Sequence, residues 1–91
     1  MALIFAIDPG NTQSAYVVLA PDYRIIAKGI LPNDDLRLLL REFAQANDIV
    51  LAIEMIASYG MAVGSEVFDT CVWIGRYIEQ VPRYEFVYRV S

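Results

Sequence analysis

Read for the alternation of apolar and polar positions, the chain divides into short runs of strand length and two longer stretches of helical period. Ala2 to Ile7 is a continuous apolar run with β-branched and aromatic residues that ends in Asp8-Pro9-Gly10, the pattern of a central strand buried on both faces. Ala15 to Ala20 is a second apolar run. Pro21 in Ala20-Pro21-Asp22-Tyr23 suits a tight turn, so a hairpin into Arg24 to Leu31 is expected, with antiparallel strands. In this third strand Arg24, Ile26, Lys28 and Ile30 alternate with Ile25, Ala27, Gly29 and Leu31, and charges on one face suit a sheet edge.

Asn33 is placed to cap a helix whose first turn holds Asp34 and Asp35, favourable at the positive end of the helix dipole. Leu36, Leu39, Leu40, Phe43 and Ala44 form its apolar stripe, and Asn47 closes it. Asp48 to Glu54 returns as a buried-type strand, and the strand, helix, strand order favours a parallel return to the sheet. The uncharged connection from Met55 to Gly64 leads to Ser65, a second candidate cap, and a helix from about Glu66 to Gln80. Pro82 ends that unit, and Glu85 to Val90 alternates as a fifth strand. Residues 1–91 read as one domain in the order β-β-β-α-β-α-β, with no repeat or linker.

Composition sharpens this picture at three points. Hydrophobic residues make up 57% of the 91 positions, above the usual share of about 45–50%, so the chain buries more than an ordinary small domain does. Net charge is −4, which provides no global positive field for nucleic acid but leaves room for a nuclease, whose chemistry requires clustered acids. There is one cysteine and no histidine, which removes disulfide frameworks, Cys/His zinc sites and any nucleophile activated by histidine. No run approaches the roughly 20 apolar residues of a membrane span, and the opening lacks a basic leader, so a cytoplasmic protein is expected.

The candidate chemistry lies at two strand ends. With the fourth strand parallel to the first and about 4.8 Å away, Ile4, Ala6 and Asp8 share a face with Val50, Ala52 and Glu54. The two carboxylates then become neighbours, each with an alanine two residues before it that leaves space beneath. Two anions that close favour a proton or a cation between them, and oxygen-only ligands select Mg²⁺ or Mn²⁺. Phosphodiester hydrolysis is the natural reaction for such a site. On spacing alone, an Asx turn at Asp8 over Gly10 and a solvated Glu54 account for the same residues equally well.

Ile7-Asp8-Pro9-Gly10, then Thr12, Tyr16 and Val18, and Ala52-Ile53-Glu54 at the end of the fourth strand resemble the RuvC-type Holliday junction resolvases, especially short phage or prophage relatives. The resemblance implies the ribonuclease H-like α/β fold with a mixed five-stranded sheet, lacking the family's final helix and incomplete at the C-terminus. It implies a homodimer that uses Mg²⁺ or Mn²⁺ to cut branched DNA, with Asp8 and Glu54 as the first two of four catalytic, metal-binding acids. Gln13 stands where relatives often carry a basic residue, and Ala15 where glycine commonly precedes the tyrosine.

The resemblance also implies nucleic-acid contacts at Asn11, Thr12 and Gln13 and, in the connection after Glu54, at Tyr59 and Met61. On the second helix it implies a dimer interface drawn from Val67, Cys71, Trp73, Ile74, Tyr77 and Ile78. Packing against the sheet is the simpler reading for most of that helix face, and Cys71 is expected in the core. Two other readings stay open: a noncatalytic dimerising fragment of such a protein, and a phosphate-binding domain of the actin-like or sugar-kinase class, which also begins with a strand, an Asp, a Gly and a Thr or Asn.

Overall fold

The computed structural model describes residues 2–55 and 64–88. Its elements follow the expected order: β1 (Leu3–Asp8), β2 (Gln13–Leu19), β3 (Ile25–Pro32), α1 (Asn33–Ala46), β4 (Ile49–Met55), α2 (Ser65–Ile78) and β5 (Tyr84–Tyr88). The five strands form one mixed sheet in the order β3-β2-β1-β4-β5. β1 runs antiparallel to β2 and parallel to β4, and β4 runs parallel to β5, so the two strands that end in acids lie side by side at the centre.

The β2–β3 hairpin is closed by a turn in which the Tyr23 amide donates to the Ala20 carbonyl at 2.8 Å and the Ala20 amide donates to Arg24 at 2.9 Å. Pro21 pre-sets the backbone of this turn, and the Asp22 carboxylate accepts from the Arg24 amide at 3.1 Å. Tyr23 closes it in the left-handed region, with φ of 69°, an unusual place for a bulky residue.

Alternation along the strands sends one set of side chains to the helices. Phe5, Ile7, Val18, Ile49, Leu51 and Ile53 pack with Leu36 and Leu40 of α1 and with Ile74, Tyr77 and Val81 of the α2 region in one core. Phe5 is its aromatic centre, stacked on Tyr16 with ring centroids 5.7 Å apart and meeting Phe43 edge-on at 5.6 Å. Tyr16 in turn lies over Gly29, its partner on β3, where the missing side chain leaves room for the ring. Both helices therefore cover the same face. Ile4, Ala6, Val17, Val50 and Ala52, which point to the second face, are only half-buried.

Three local expectations change. Asn33 and Ser65 are first residues of their helices rather than caps: Pro32 and Gly64 occupy the cap positions, and neither helix has a side-chain cap bond. Cys71 is exposed, not in the core. The buried stripe of α2 is Thr70, Ile74 and Tyr77, one residue every three or four, and Cys71 lies off it beside exposed Phe68 and Val72.

Candidate functional site

Each acid owes its position to the strand that carries it. Ile7 pairs with Ile53 across the parallel β1–β4 ladder, so the next step of the same register sets Asp8 opposite Glu54. On their outer sides Asp8 pairs with Ala15 of β2 and Glu54 pairs with Val87 of β5. The result is an open cleft of about 460 Å³ on the sheet face away from the helices. Asp8 and Glu54 stand on its wall, with Ala6, Ala15, Ala52, Val17 and Val87 around them. Small residues under the carboxylates leave the volume that larger side chains would fill.

Asp8 is exposed and Glu54 half-buried. Glu85, the β5 partner of Ala52, does not line the cleft, and among the described residues no group of three His, Cys, Asp or Glu side chains is placed to hold a metal ion. The donor set is a pair of carboxylates, hard oxygen ligands of the kind that suit Mg²⁺, which keeps several of its waters and takes one or two carboxylates from a protein. The pair therefore fits such an ion as a partial donor set.

The loop that follows Asp8 is held from beneath. The Gly10 amide donates to Ser14 Oγ at 3.1 Å, the Gly10 carbonyl accepts from Asn33 Nδ2 at 2.9 Å, and the Thr12 carbonyl accepts from the Asn33 amide at 3.0 Å. Asn11 is half-buried, while Thr12 and Gln13 are exposed at the same end of the sheet as Asp8. Tyr59 and Met61 lie outside the described residues.

On α2, Ile74 and Tyr77 are inside the chain's own core, 7% and 0% exposed, which removes them from the candidate surface between copies. Trp73 and Ile78 pack partly against that core and Val67 is half-buried, leaving Cys71 as the exposed member of the set. Trp73 also carries the Arg76 guanidinium 4.5 Å over its ring.

Sequence reasoning did not find Ser14, Asn33 and Tyr77 as a group. The only trace of them in the chain is polarity at positions where the period demands an apolar residue: Ser14 alternates with Ala15 on a buried strand, and Tyr77 continues the stripe of Thr70 and Ile74.

Comparison of the sequence with known protein families and with curated proteins returns no match. Comparison of the fold with solved structures does. Thermus thermophilus RuvC in complex with a Holliday junction substrate superposes with a TM-score of 0.76 over 97% of this chain and 65% of that one, at 13% identity. A second structure of Thermus thermophilus RuvC gives 0.72 over 94% of this chain and 63% of that one, at 14% identity. The chain thus spans slightly less than two thirds of the length of these proteins. Element order, sheet order and the position of the acid-bearing strands together give the chain a RuvC-like, ribonuclease H-like α/β fold.

Proposed function

We propose that the chain is a metal-dependent endonuclease module that acts on branched DNA. The observation that carries this reading is the placement of Asp8 and Glu54 side by side over an alanine-floored cleft, on a fold that matches RuvC. An Asx turn and a solvated strand end would explain each acid alone. They give no reason for both to share one cleft with small residues beneath.

In this reading Asp8 and Glu54 hold Mg²⁺ or Mn²⁺ at the end of the central strands. Such an ion supplies an acidified water and offsets negative charge on a phosphate. The chain's own contribution is placement. Ala6, Ala15 and Ala52 leave space for a phosphodiester, and Val17 and Val87 bound the cleft on either side. Thr12 and Gln13, exposed beside Asp8, offer neutral donors to backbone phosphates, and Lys28, paired with Val17 on the edge strand, adds a positive charge on the same sheet face. The proposed homodimer uses the outer side of α2, where Phe68, Cys71 and Val72 are exposed.

The test is Mn²⁺-dependent cleavage of a synthetic four-way junction by the wild-type chain, Asp8→Asn and Glu54→Gln. Paired nicks that vanish in both variants establish the nuclease. Junction binding without cleavage, unchanged in both variants, favours a noncatalytic dimerising module and removes the catalytic roles of the two acids.

A further inference from the structure

Three hydrogen-bonding side chains meet at the heart of an otherwise apolar core. Ser14 and Asn33 are each 2% exposed and Tyr77 is 0% exposed. Ser14 Oγ donates to Asn33 Oδ1 at 2.6 Å, the Tyr77 hydroxyl donates to the same oxygen at 2.9 Å, and the two hydroxyls lie 3.1 Å apart. With one proton on each hydroxyl and both directed at Oδ1, the amide orientation of Asn33 is fixed and its Nδ2 is turned to the Gly10 carbonyl. Buried polar groups of this kind add little net stability over a well-packed apolar core, so a network in this position points to a demand other than stability.

The demand is visible in what the network touches. Among the described residues, the three side chains bond outside their own network only to Gly10, its amide and its carbonyl, in the loop directly after Asp8, and the Asn33 backbone amide adds the Thr12 carbonyl of the same loop. The network's third member comes from α2, an element distant in sequence from that loop. Resting on the proposed metal-dependent reading, we infer that Ser14, Asn33 and Tyr77 are positioning residues, which lock the loop after β1 so that the Asp8 carboxylate is held ready beside Glu54. Tyr77 is the part of the device through which α2 fixes Asn33. Burial pushes the Tyr77 hydroxyl above the ordinary tyrosine range, so it keeps its proton and remains a donor near neutral pH.

The test is Mn²⁺ binding followed by electron paramagnetic resonance, with the metal alone as probe. The variants are Tyr77→Phe, which keeps the ring and loses the donor, and Asn33→Asp, which keeps the acceptor and loses the bond to Gly10. Asp8→Asn is the site control, and Ile74→Val lowers core stability without touching the network. Groups that orient metal ligands from behind typically change affinity by about 10–100-fold when removed. The expected result is about tenfold weaker Mn²⁺ binding in Tyr77→Phe and Asn33→Asp, with Ile74→Val binding like wild type. Wild-type affinity in both network variants overturns the inference, as does equal weakening in Ile74→Val at matched melting temperature. Binding that is absent, or present and indifferent to Asp8→Asn, overturns the metal reading itself and the inference with it.

Discussion

A β-carbon on Gly10 would collide with the backbone carbonyl oxygen of Gln13. The loop after Asp8 folds back on itself so closely that it has no room for a side chain there, and backbone atoms cannot swing aside as the end of a long side chain can. Glycine at this position is required by contact, and the turn is tight because Ser14 and Asn33 draw it inward. Gly10→Ala is therefore expected to lower stability by about 1–3 kcal/mol, the usual range for overpacking. Urea denaturation checks it, and an unchanged midpoint would mean that the loop has another conformation at equal cost.

Tyr23→Gly is expected to act in the opposite direction. Tyr23 holds a φ of 69° at an exposed turn, a conformation that costs a residue with a β-carbon about 1–2 kcal/mol. Glycine removes that strain and returns part of the gain as unfolded-state entropy, leaving a net stabilisation of about 0.5–1 kcal/mol. A rise of a few degrees in thermal midpoint is the readout.

Filling the cleft should separate function from folding. Ala52 lies on the sheet face away from the core and lines the cleft beneath Glu54. Ala52→Leu is expected to change stability by no more than about 0.5 kcal/mol, as substitutions outside the core do, while on the proposed nuclease reading Mn²⁺-dependent nicking of a four-way junction is lost. Nicking at the wild-type rate would show that the substrate phosphate does not pass over Ala52.

Alkaline titration isolates Tyr77. Its folded-state pKa lies above the unfolded value because burial penalises the phenolate. The stability it contributes is complete below the ordinary tyrosine pKa of about 10. It declines as pH rises through the folded value, since the unfolded chain gives up the proton first. The wild-type thermal midpoint should fall more steeply above about pH 10 than that of Tyr77→Phe, and parallel curves would place the hydroxyl in contact with water.

Cys71 offers a direct probe of the outer face of α2. As an exposed thiol in the monomer it should react with an aromatic disulfide reagent without unfolding. If copies associate through Phe68, Cys71 and Val72, the rate per molecule should fall as protein concentration rises. A rate independent of concentration would place any dimer contact elsewhere.

The strands and their register were legible because period two leaves little choice. Once Ile4, Ala6 and Asp8 alternate on one strand and Val50, Ala52 and Glu54 on its parallel neighbour, burying the intervening Phe5, Ile7, Leu51 and Ile53 forces both acids to the opposite face. The α2 helix was harder. Phe68, Val72 and Cys71 on its outer side are as apolar as Ile74 on its inner side, so hydrophobicity does not select the inward stripe: Cys71, expected in the core, is exposed, and Tyr77, a candidate for the surface between copies, is buried. Asn33 was misread for a related reason. A cap and a first-turn residue carry the same sequence signal, and the difference here depends on Ser14 and Tyr77, whose approach is set by tertiary packing.

The sheet order has a consequence for how the molecule is made. β1, β2 and β3 are contiguous and can assemble as a meander from local contacts, whereas β4 reaches β1 only after α1 carries the chain from the edge strand β3 across β2 and β1. That long closure is the entropically demanding step of such a topology. The meander of β1 to β3 carries Asp8 alone, and Glu54 joins it only when the parallel β1–β4 ladder zips. Assembly of the acid pair is therefore simultaneous with the long-range pairing of β1 and β4, and if the pair holds a cation as proposed, a lanthanide or Mn²⁺ signal from it would serve as a clock for that step.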